Sequence, residues 1–182
     1  MKVLVALGTR PEVIKLAPVI AALQQRVEVK VCASGQHREM LQQALDAFGL
    51  RPSHLLDTMS PGRSLNILAA RLLEGMDAVL EQERPDWVLV QGDTTTAFCA
   101  GLAAFQRQIR VGHVEAGLRT GDLNSPFPEE ANRTLLARIA SLHFAPTRLA
   151  ARALRTEGVE ESRIRVTGNT VVDAIQQAQA AW

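Results

Sequence analysis

Several features that mark particular classes of protein are scarce or missing in these 182 residues. There are only two cysteines, Cys32 and Cys99. Both lie in apolar surroundings, which predicts buried, reduced thiols in a cytosol rather than a disulfide. The formal net charge of +1 gives no reason to expect nucleic acid or an anionic membrane as a partner. No apolar run reaches the roughly 18 residues of a membrane span, and the first residues do not read as a signal peptide. We therefore expect a cytoplasmic globular protein.

The short motifs that identify common cofactor and metal sites are also missing. Gly8 does not begin the dinucleotide fingerprint GxGxxG, because Arg10 occupies its second glycine position. The sequence contains no Walker pattern, no GxSxG, no CxxC and no HExxH. The sequence therefore gives no sign of a dinucleotide cofactor or of these catalytic and metal-binding motifs.

What the sequence does contain is an alternation of strand and helix patterns from end to end. Short, continuous apolar runs predict strands buried on both faces at 3–7, 27–33, 87–91, 109–114, 142–145 and 164–167. Amphipathic stretches between them predict helices, and Ser64 can cap a long one that runs to about Glu83. This alternation predicts right-handed βαβ units, and hence an α/β fold with a doubly wound, parallel, Rossmann-like sheet.

A last helical pattern follows Asn169 and Thr170, which can cap it, and continues to Trp182. We therefore divide the chain into a Rossmann-like domain over residues 1–168 and the start of a further helix over residues 169–182. The pattern fits a natural terminus and the beginning of a helix between two domains equally well.

Polar residues follow the predicted strands, at the edge where open parallel sheets bind ligands. Carboxylates at Asp93, Glu115 and Glu129 come from separate loops at this edge. The cations that accompany them are Arg10, Lys15, Arg119 and Arg133. Converging carboxylates are costly unless cations or a substrate compensate them, and such clusters are typical of acid–base sites.

Each of these residues also has a structural interpretation. Asp93 could cap a helix, and Glu129 could serve only the dipole of the helix that it opens. His113, at a strand end, is more often a structural histidine than a catalytic one. Arg10 and Lys15 could be solvated surface charges. The combination, rather than any single residue, therefore indicates an active site.

Six stretches of the chain, in this order, resemble the non-hydrolysing UDP-N-acetylglucosamine (UDP-GlcNAc) 2-epimerases. They are GTRPEVIKLAPVI at 8–20, GQHREML at 35–41, QGDTTT at 91–96, VGHVEAGLRTGD at 111–122, PFPEEANR at 126–133 and TGNTVVDA at 167–174. Together they are spread along the chain from residue 8 to residue 174. In that family two Rossmann-like domains face each other across a cleft, as in the GT-B glycosyltransferases. The resemblance therefore implies the N-terminal half of a GT-B-like two-domain enzyme, without its second domain.

The resemblance implies a reaction as well as a fold. The family interconverts UDP-GlcNAc and UDP-ManNAc, for polysaccharide biosynthesis, by eliminating UDP and adding it back to the other face of the sugar. By position match, the catalytic residues are Asp93, Glu115 and Glu129. Arg10, Lys15 and Arg133 would bind substrate or, for Arg133, hold a carboxylate. No cofactor or metal is implied, and a homodimer is.

A possible effector site and two alternatives complete the predictions. Some bacterial relatives bind a second UDP-GlcNAc as an effector, which would here involve Gln36, His37 and Arg63. Many relatives carry glutamine where this chain has Arg63. A GT-B glycosyltransferase or a hydrolysing epimerase would share the fold and the substrate class. A stand-alone, non-catalytic nucleotide-sugar domain would need no second half. The sequence alone leaves these alternatives open.

Overall fold

The structure, a computed structural model, describes residues 1–35, 38–58 and 64–180, in which seven strands alternate with seven α-helices. The strands are β1 (Lys2–Leu7), β2 (Glu28–Ala33), β3 (His54–Leu55), β4 (Trp87–Gln91), β5 (Arg110–Val114), β6 (Leu142–Ala145) and β7 (Ile164–Val166). The helices are α1 (Arg10–Gln24), α2 (Arg38–Ala47), α3 (Leu65–Glu83), α4 (Thr95–Gln106), α5 (Glu129–Ile139), α6 (Arg148–Thr156) and α7 (Val171–Ala180). In these ranges, no helix has the length and apolar character needed to cross a membrane.

All seven strands form one parallel sheet in the order β3-β2-β1-β4-β5-β6-β7. The predicted α/β fold with a doubly wound parallel sheet is thereby confirmed. The chain begins in the middle of the sheet, runs outward to β3, returns beside β1 as β4, and then runs outward the other way. The strand order therefore reverses between β1 and β4, and a crevice opens at the carboxyl ends of strands at such a point.

The core has one apolar layer on each face of the sheet, because side chains of a strand alternate between its faces. In β1, Val5 and Leu7 pack with α1 and α2, whereas Leu4 and Ala6 pack with α3 and α4. Burial on both faces explains why the central strands are continuous apolar runs. Cys32 is buried in the second layer and Cys99 is also buried, as predicted, and neither forms a disulfide.

The sequence prediction missed one strand, β3, at the edge of the sheet. It has only two residues, His54 and Leu55, which pair with Cys32 and Ala33. Two residues are too few for any periodicity, so no pattern could have identified this strand. The other strands begin and end within one residue of their predicted limits. Ser64 caps α3 as predicted, since its Oγ accepts a hydrogen bond from the Ile67 N–H at 3.5 Å.

The last helix, α7, packs against α1. It is capped by Asn169 as predicted, because the Oδ1 atom accepts a hydrogen bond from the Val171 N–H at 3.1 Å. This helix begins at the carboxyl edge of the sheet, shortly after β7 ends. Its cap therefore lies among the loops that follow the strands.

Candidate active site

The site is built on two turns that meet at the switch point, one after β1 and one after β4. Gly8, in the turn after β1, has no room for a side chain, because a Cβ atom there would overlap the hydroxyl groups of Ser34 and Thr96. Gly92 has a φ of +70°, which lets the chain turn sharply from β4 to Asp93. Between these turns lies a pocket of about 460 Å³, and Lys15, Asp93 and Glu115 all line it. Three of the predicted site residues therefore meet in one cavity.

Glu115 is held in this pocket by three hydrogen-bond donors. Its Oε2 atom accepts hydrogen bonds from Lys15 Nζ at 2.6 Å and from the Gln91 amide. Its Oε1 atom accepts a hydrogen bond from Asn169 Nδ2 at 2.9 Å. The backbone of Glu115 has a φ of +63°, in the left-handed region that is unfavourable for residues other than glycine. Residues in this conformation are concentrated at functional sites. Its side chain is only 12% exposed, so its orientation is fixed by these donors.

Asp93 has a different environment from that of Glu115. Partial burial raises the pKa of Asp93 above its ordinary value. The charges of Glu129 and Glu115 raise this pKa further, whereas Arg133, with Nη1 at 3.5 Å from Oδ2, and Lys15 lower it. Asp93 therefore takes up a proton more readily than a solvated aspartate does.

The helix that follows Pro128 carries two adjacent carboxylates with different surroundings. Glu130 is buried, and its Oε1 atom accepts hydrogen bonds from the Thr120 and Gly121 N–H groups at 3.0 Å each. Its Oε2 atom lies 2.9 Å from Arg133 Nε, in a charge contact that is not aligned as a hydrogen bond. Glu130 thus holds the loop after β5 in place. Glu129 is half-buried and close enough to Asp93 to raise the pKa of that group.

Glu12 is a residue of this site that the sequence interpretation overlooked. It is buried, with Oε2 accepting a hydrogen bond from the Gly8 N–H at 3.0 Å and Oε1 one from Thr94 Oγ1 at 2.8 Å. Burial raises the pKa of Glu12. Its carboxyl group joins the turn after β1 to the turn after β4. The sequence could have indicated Glu12 through its spacing from Lys15, because residues three apart lie on the same face of a helix.

His113 supports the turn after β4 from within the core. Its Nε2 atom lies 2.7 Å from the Gly92 carbonyl oxygen. Because a carbonyl only accepts, Nε2 must carry the proton and donate it. Burial lowers the pKa of His113 to about 3, so the ring is neutral at physiological pH. This arrangement matches the structural interpretation of His113.

The remaining candidates either do not line the pocket or lie outside the described residues. Arg119 pairs with Glu157 through two contacts of 2.6 and 2.8 Å, and it does not line the pocket. Arg10, the first residue of α1, is exposed. The possible effector residues Gln36, His37 and Arg63 lie outside the described residues.

Comparison with known proteins shows which family the chain belongs to. The family model for UDP-N-acetylglucosamine 2-epimerase matches residues 21–182. The chain belongs to the UDP-N-acetylglucosamine 2-epimerase family. A member from Yersinia pestis is 55% identical over 177 residues, and one from Escherichia coli K12 is 54% identical. Each match covers 96% of this chain and 47% of the relative, so the chain spans about half the length of the curated relatives that it matches.

Solved structures of family members have the same fold as this chain. The Neisseria meningitidis epimerase, crystallised with UDP-GlcNAc, superimposes with a TM-score of 0.96 at 48% identity, over all of this chain and 50% of that one. MurG from Acinetobacter baumannii superimposes with a TM-score of 0.62 at only 17% identity, which shows a shared fold and nothing more. This epimerase-family chain therefore has the architecture of about half of the Neisseria meningitidis chain.

A larger cavity of about 640 Å³ lies between α1 and α7 of this epimerase-family chain. Its lining is mainly aliphatic, with Pro18, Leu23 and Val114 among the contributors, and it includes none of the predicted catalytic carboxylates. Its charged side chains are Arg26 and Asp173, one of each sign, whereas Lys15, Asp93 and Glu115 converge in the smaller pocket, as proton transfer requires. We therefore assign the candidate site to the smaller pocket.

Proposed function

We propose that this chain carries one half of the active site of an enzyme that interconverts UDP-GlcNAc and UDP-ManNAc. The observation that supports this most strongly is the convergence of Asp93, Glu115 and Lys15 in one pocket at the switch point of a family member. The relative crystallised with UDP-GlcNAc supports the substrate. In this proposal, residues 1–168 form the first domain and residues 169–182 begin the helix toward the second.

The chemistry of the sugar favours elimination followed by re-addition. Carbon 2 bears an acetamido group, so it cannot be oxidised to a ketone as a carbinol can, and its hydrogen is not acidic. When the bond between carbon 1 and oxygen breaks, its electron pair leaves with UDP, and a base takes the proton from carbon 2. The product is 2-acetamidoglucal. A UDP oxygen then bonds to carbon 1 again, and an acid delivers a proton to the opposite face of carbon 2. Substrate and product have the same atoms, so no oxidant is consumed.

The two pocket carboxyl groups suit different steps of this route. Glu115, fixed by Lys15, Gln91 and Asn169, is our candidate for the base. Asp93 is our candidate for the acid, because its raised pKa makes it easier to protonate than a solvated aspartate. Two neighbouring carboxyl groups with different surroundings are typical of acid–base pairs.

The remaining predicted residues have supporting roles in the proposal. Lys15 and the exposed Arg10 would stabilise the negative charge that develops on the departing diphosphate. Arg133 holds Asp93, and the charge of Glu129 favours protonation of Asp93.

The proposal is tested by product analysis in a two-domain protein. Residues 1–182 can be studied within a natural longer protein, or joined to the second half of the 55%-identical Yersinia pestis relative. With UDP-GlcNAc as substrate, we expect UDP-ManNAc. Free ManNAc with UDP would instead identify a hydrolysing epimerase, and transfer of the sugar to an acceptor would identify a glycosyltransferase.

Residues 1–182 alone should show no appreciable epimerase activity. They supply one wall of the proposed cleft, and the positioning lost with the other wall is worth up to about 7–11 kcal/mol of the barrier. Turnover by this chain alone at about 1 to 1,000 per second, the ordinary range for enzymes, would contradict the proposal. The reading frame beyond codon 182 provides an independent check, because a stop codon there would favour a stand-alone nucleotide-sugar domain.

A further inference from the structure

Asn169 connects the last helix of the chain to a carboxylate of the pocket. Its two amide atoms have separate partners: Nδ2 donates to Glu115 Oε1 at 2.9 Å, and Oδ1 accepts from the Val171 N–H at 3.1 Å. The side chain is half-buried. One rigid, planar amide group therefore holds both the start of α7 and one oxygen of Glu115.

The three donors to Glu115 come from parts of the fold that differ in how firmly they are held. Gln91 is buried at the end of β4 in the middle of the sheet, and Lys15 belongs to α1, which packs on that sheet. Both donate to Oε2. Asn169 alone, among the described residues, donates to Oε1, and it belongs to the cap of α7 at the surface. The position of Oε1 therefore depends on the position of α7.

We propose that Asn169 is a positioning residue of the active site, which orients Glu115 according to the position of α7. The catalytic part of this inference rests on the proposed function. Because the chain matches the N-terminal half of its relatives, the relatives continue beyond this helix into their other half. A shift of that half would thus be transmitted through α7 to the carboxylate. Coupling of this kind is reciprocal, so a change at Glu115 must also affect the first turn of α7.

Asn169→Asp separates the positioning role from simple helix capping. Aspartate caps a helix as well as asparagine does, and its charge suits a helix N-terminus. It cannot donate to Glu115, however, and it places a second negative charge beside that carboxylate. Capping alone predicts an unchanged or more stable α7, whereas the positioning role predicts a weakened start of this helix.

The first test uses hydrogen exchange in the 182-residue chain itself and does not depend on any reaction. In Asn169→Asp, exchange at the first-turn amides of α7 should accelerate about 2- to 10-fold, the factor equivalent to one hydrogen bond. Adding Glu115→Gln to this variant should restore protection, because the new amide can donate to the new carboxylate. The matched control is Ser64→Asp, which places the same carboxylate at the cap of α3, away from the pocket, and should not accelerate exchange there. Unchanged or slower exchange in Asn169→Asp, or no restoration in the double variant, would overturn the inference.

The second test measures rates in the two-domain protein. We expect kcat to fall about 100-fold in Asn169→Asp and less in Asn169→Ala, with KM nearly unchanged in both, because a misplaced catalytic group affects the chemical step. Simple capping predicts the reverse order, with Asn169→Asp equal to the wild type and Asn169→Ala the poorer variant. That reverse order would contradict the positioning role. If the wild-type two-domain protein forms no UDP-ManNAc, the proposed function fails, and the exchange experiment still decides whether Asn169 couples α7 to Glu115.

Discussion

Replacing Glu130 by glutamine should destabilise the fold, although its neighbour Glu129 tolerates the same change. Glu130 is 1% exposed, and its Oε1 atom accepts the Thr120 and Gly121 N–H groups. Glutamine keeps one carbonyl oxygen for those two donors. Its NH₂ group, however, then faces Arg133 Nε, which lies 2.9 Å from the present Oε2 atom. The substitution therefore removes a buried charge and sets one donor against another.

The size of this effect follows from the burial of the pair. Removing one partner of a buried ion pair costs about 3–5 kcal/mol. We expect a loss at the lower end of this range, about 3 kcal/mol. Arg133 is 8% exposed and keeps a second carboxylate partner, Asp93, at 3.5 Å, so its charge is not left buried without compensation. For a protein of this size, that corresponds to a fall of about 6–12 °C in Tm. A urea titration monitored by circular dichroism measures the free energy of unfolding.

The matched control is Glu129→Gln, one residue earlier on the same helix. Glu129 is half-buried, so the loss of its charge should change the free energy of unfolding by no more than about 0.5 kcal/mol. Two results would contradict this prediction: a free energy of unfolding for Glu130→Gln within about 1 kcal/mol of the wild type, as for a typical point mutation, or a larger loss in Glu129→Gln than in Glu130→Gln.

Two further predictions concern acid stability and assembly. Burial lowers the pKa of His113 to about 3 and that of His143 to about 4, so the unfolded chain takes up protons near pH 6.5 that the folded chain does not. The free energy of unfolding should therefore fall as pH falls from about 6.5 toward 4, by up to about 1.4 kcal/mol per pH unit for each histidine. His143→Leu should remove its share of this slope in urea titrations at several pH values, and an unchanged slope would contradict the assignment. We also propose a homodimer, because α3 leaves Leu65 and Ile67 about two-fifths exposed (41% and 40%) while its other face covers the sheet. Sedimentation at micromolar concentration tests this, and a clean monomer of 19.8 kDa would count against it.

The sequence predicted most of the fold because burial on both faces of a parallel sheet leaves a direct trace. Every strand except β3 appears in the sequence as a short apolar run. Helix caps such as Ser64 and Asn169 can be recognised because their side chains are of the types that cap helices. The edge strand β3 escaped because pairing with β2, rather than its own side chains, makes it a strand. Local patterns cannot show a pairing that depends on the neighbouring strand.

The candidate site was predicted less completely, for a related reason. Strand ends located the edge at which Asp93, Glu115 and Lys15 meet, since the fold decides where loops gather. Partners within the site could not be predicted, because Glu12, Gln91 and Asn169 are far apart in sequence from the groups that they bind. Glu12 and Asn169 each fit a local role, in a first helical turn or at a cap, that concealed the tertiary contact.

Glu115 also changes one expectation about substitutions in the site. Because the site carboxylates follow strand ends at the edge of the sheet, replacing one by an amide is expected to affect the rate far more than the stability. Glu115 is 12% exposed and accepts hydrogen bonds from three donors, one of which is the Lys15 ammonium group. Glu115→Gln should therefore reduce the free energy of unfolding as well as the rate, so its activity must be measured at a temperature where the variant is folded.

Solvent deuterium at carbon 2 tests the central claim most directly. If one pocket carboxyl removes the proton and another returns one to the opposite face, the two-domain protein working in D₂O should form UDP-ManNAc with deuterium at carbon 2. Asp93→Asn and Glu115→Gln should each slow this incorporation about 100- to 10,000-fold, the usual contribution of an acid or base. UDP-ManNAc that forms without deuterium at carbon 2, or amide variants that keep the wild-type rate, would contradict an acid–base site in this pocket.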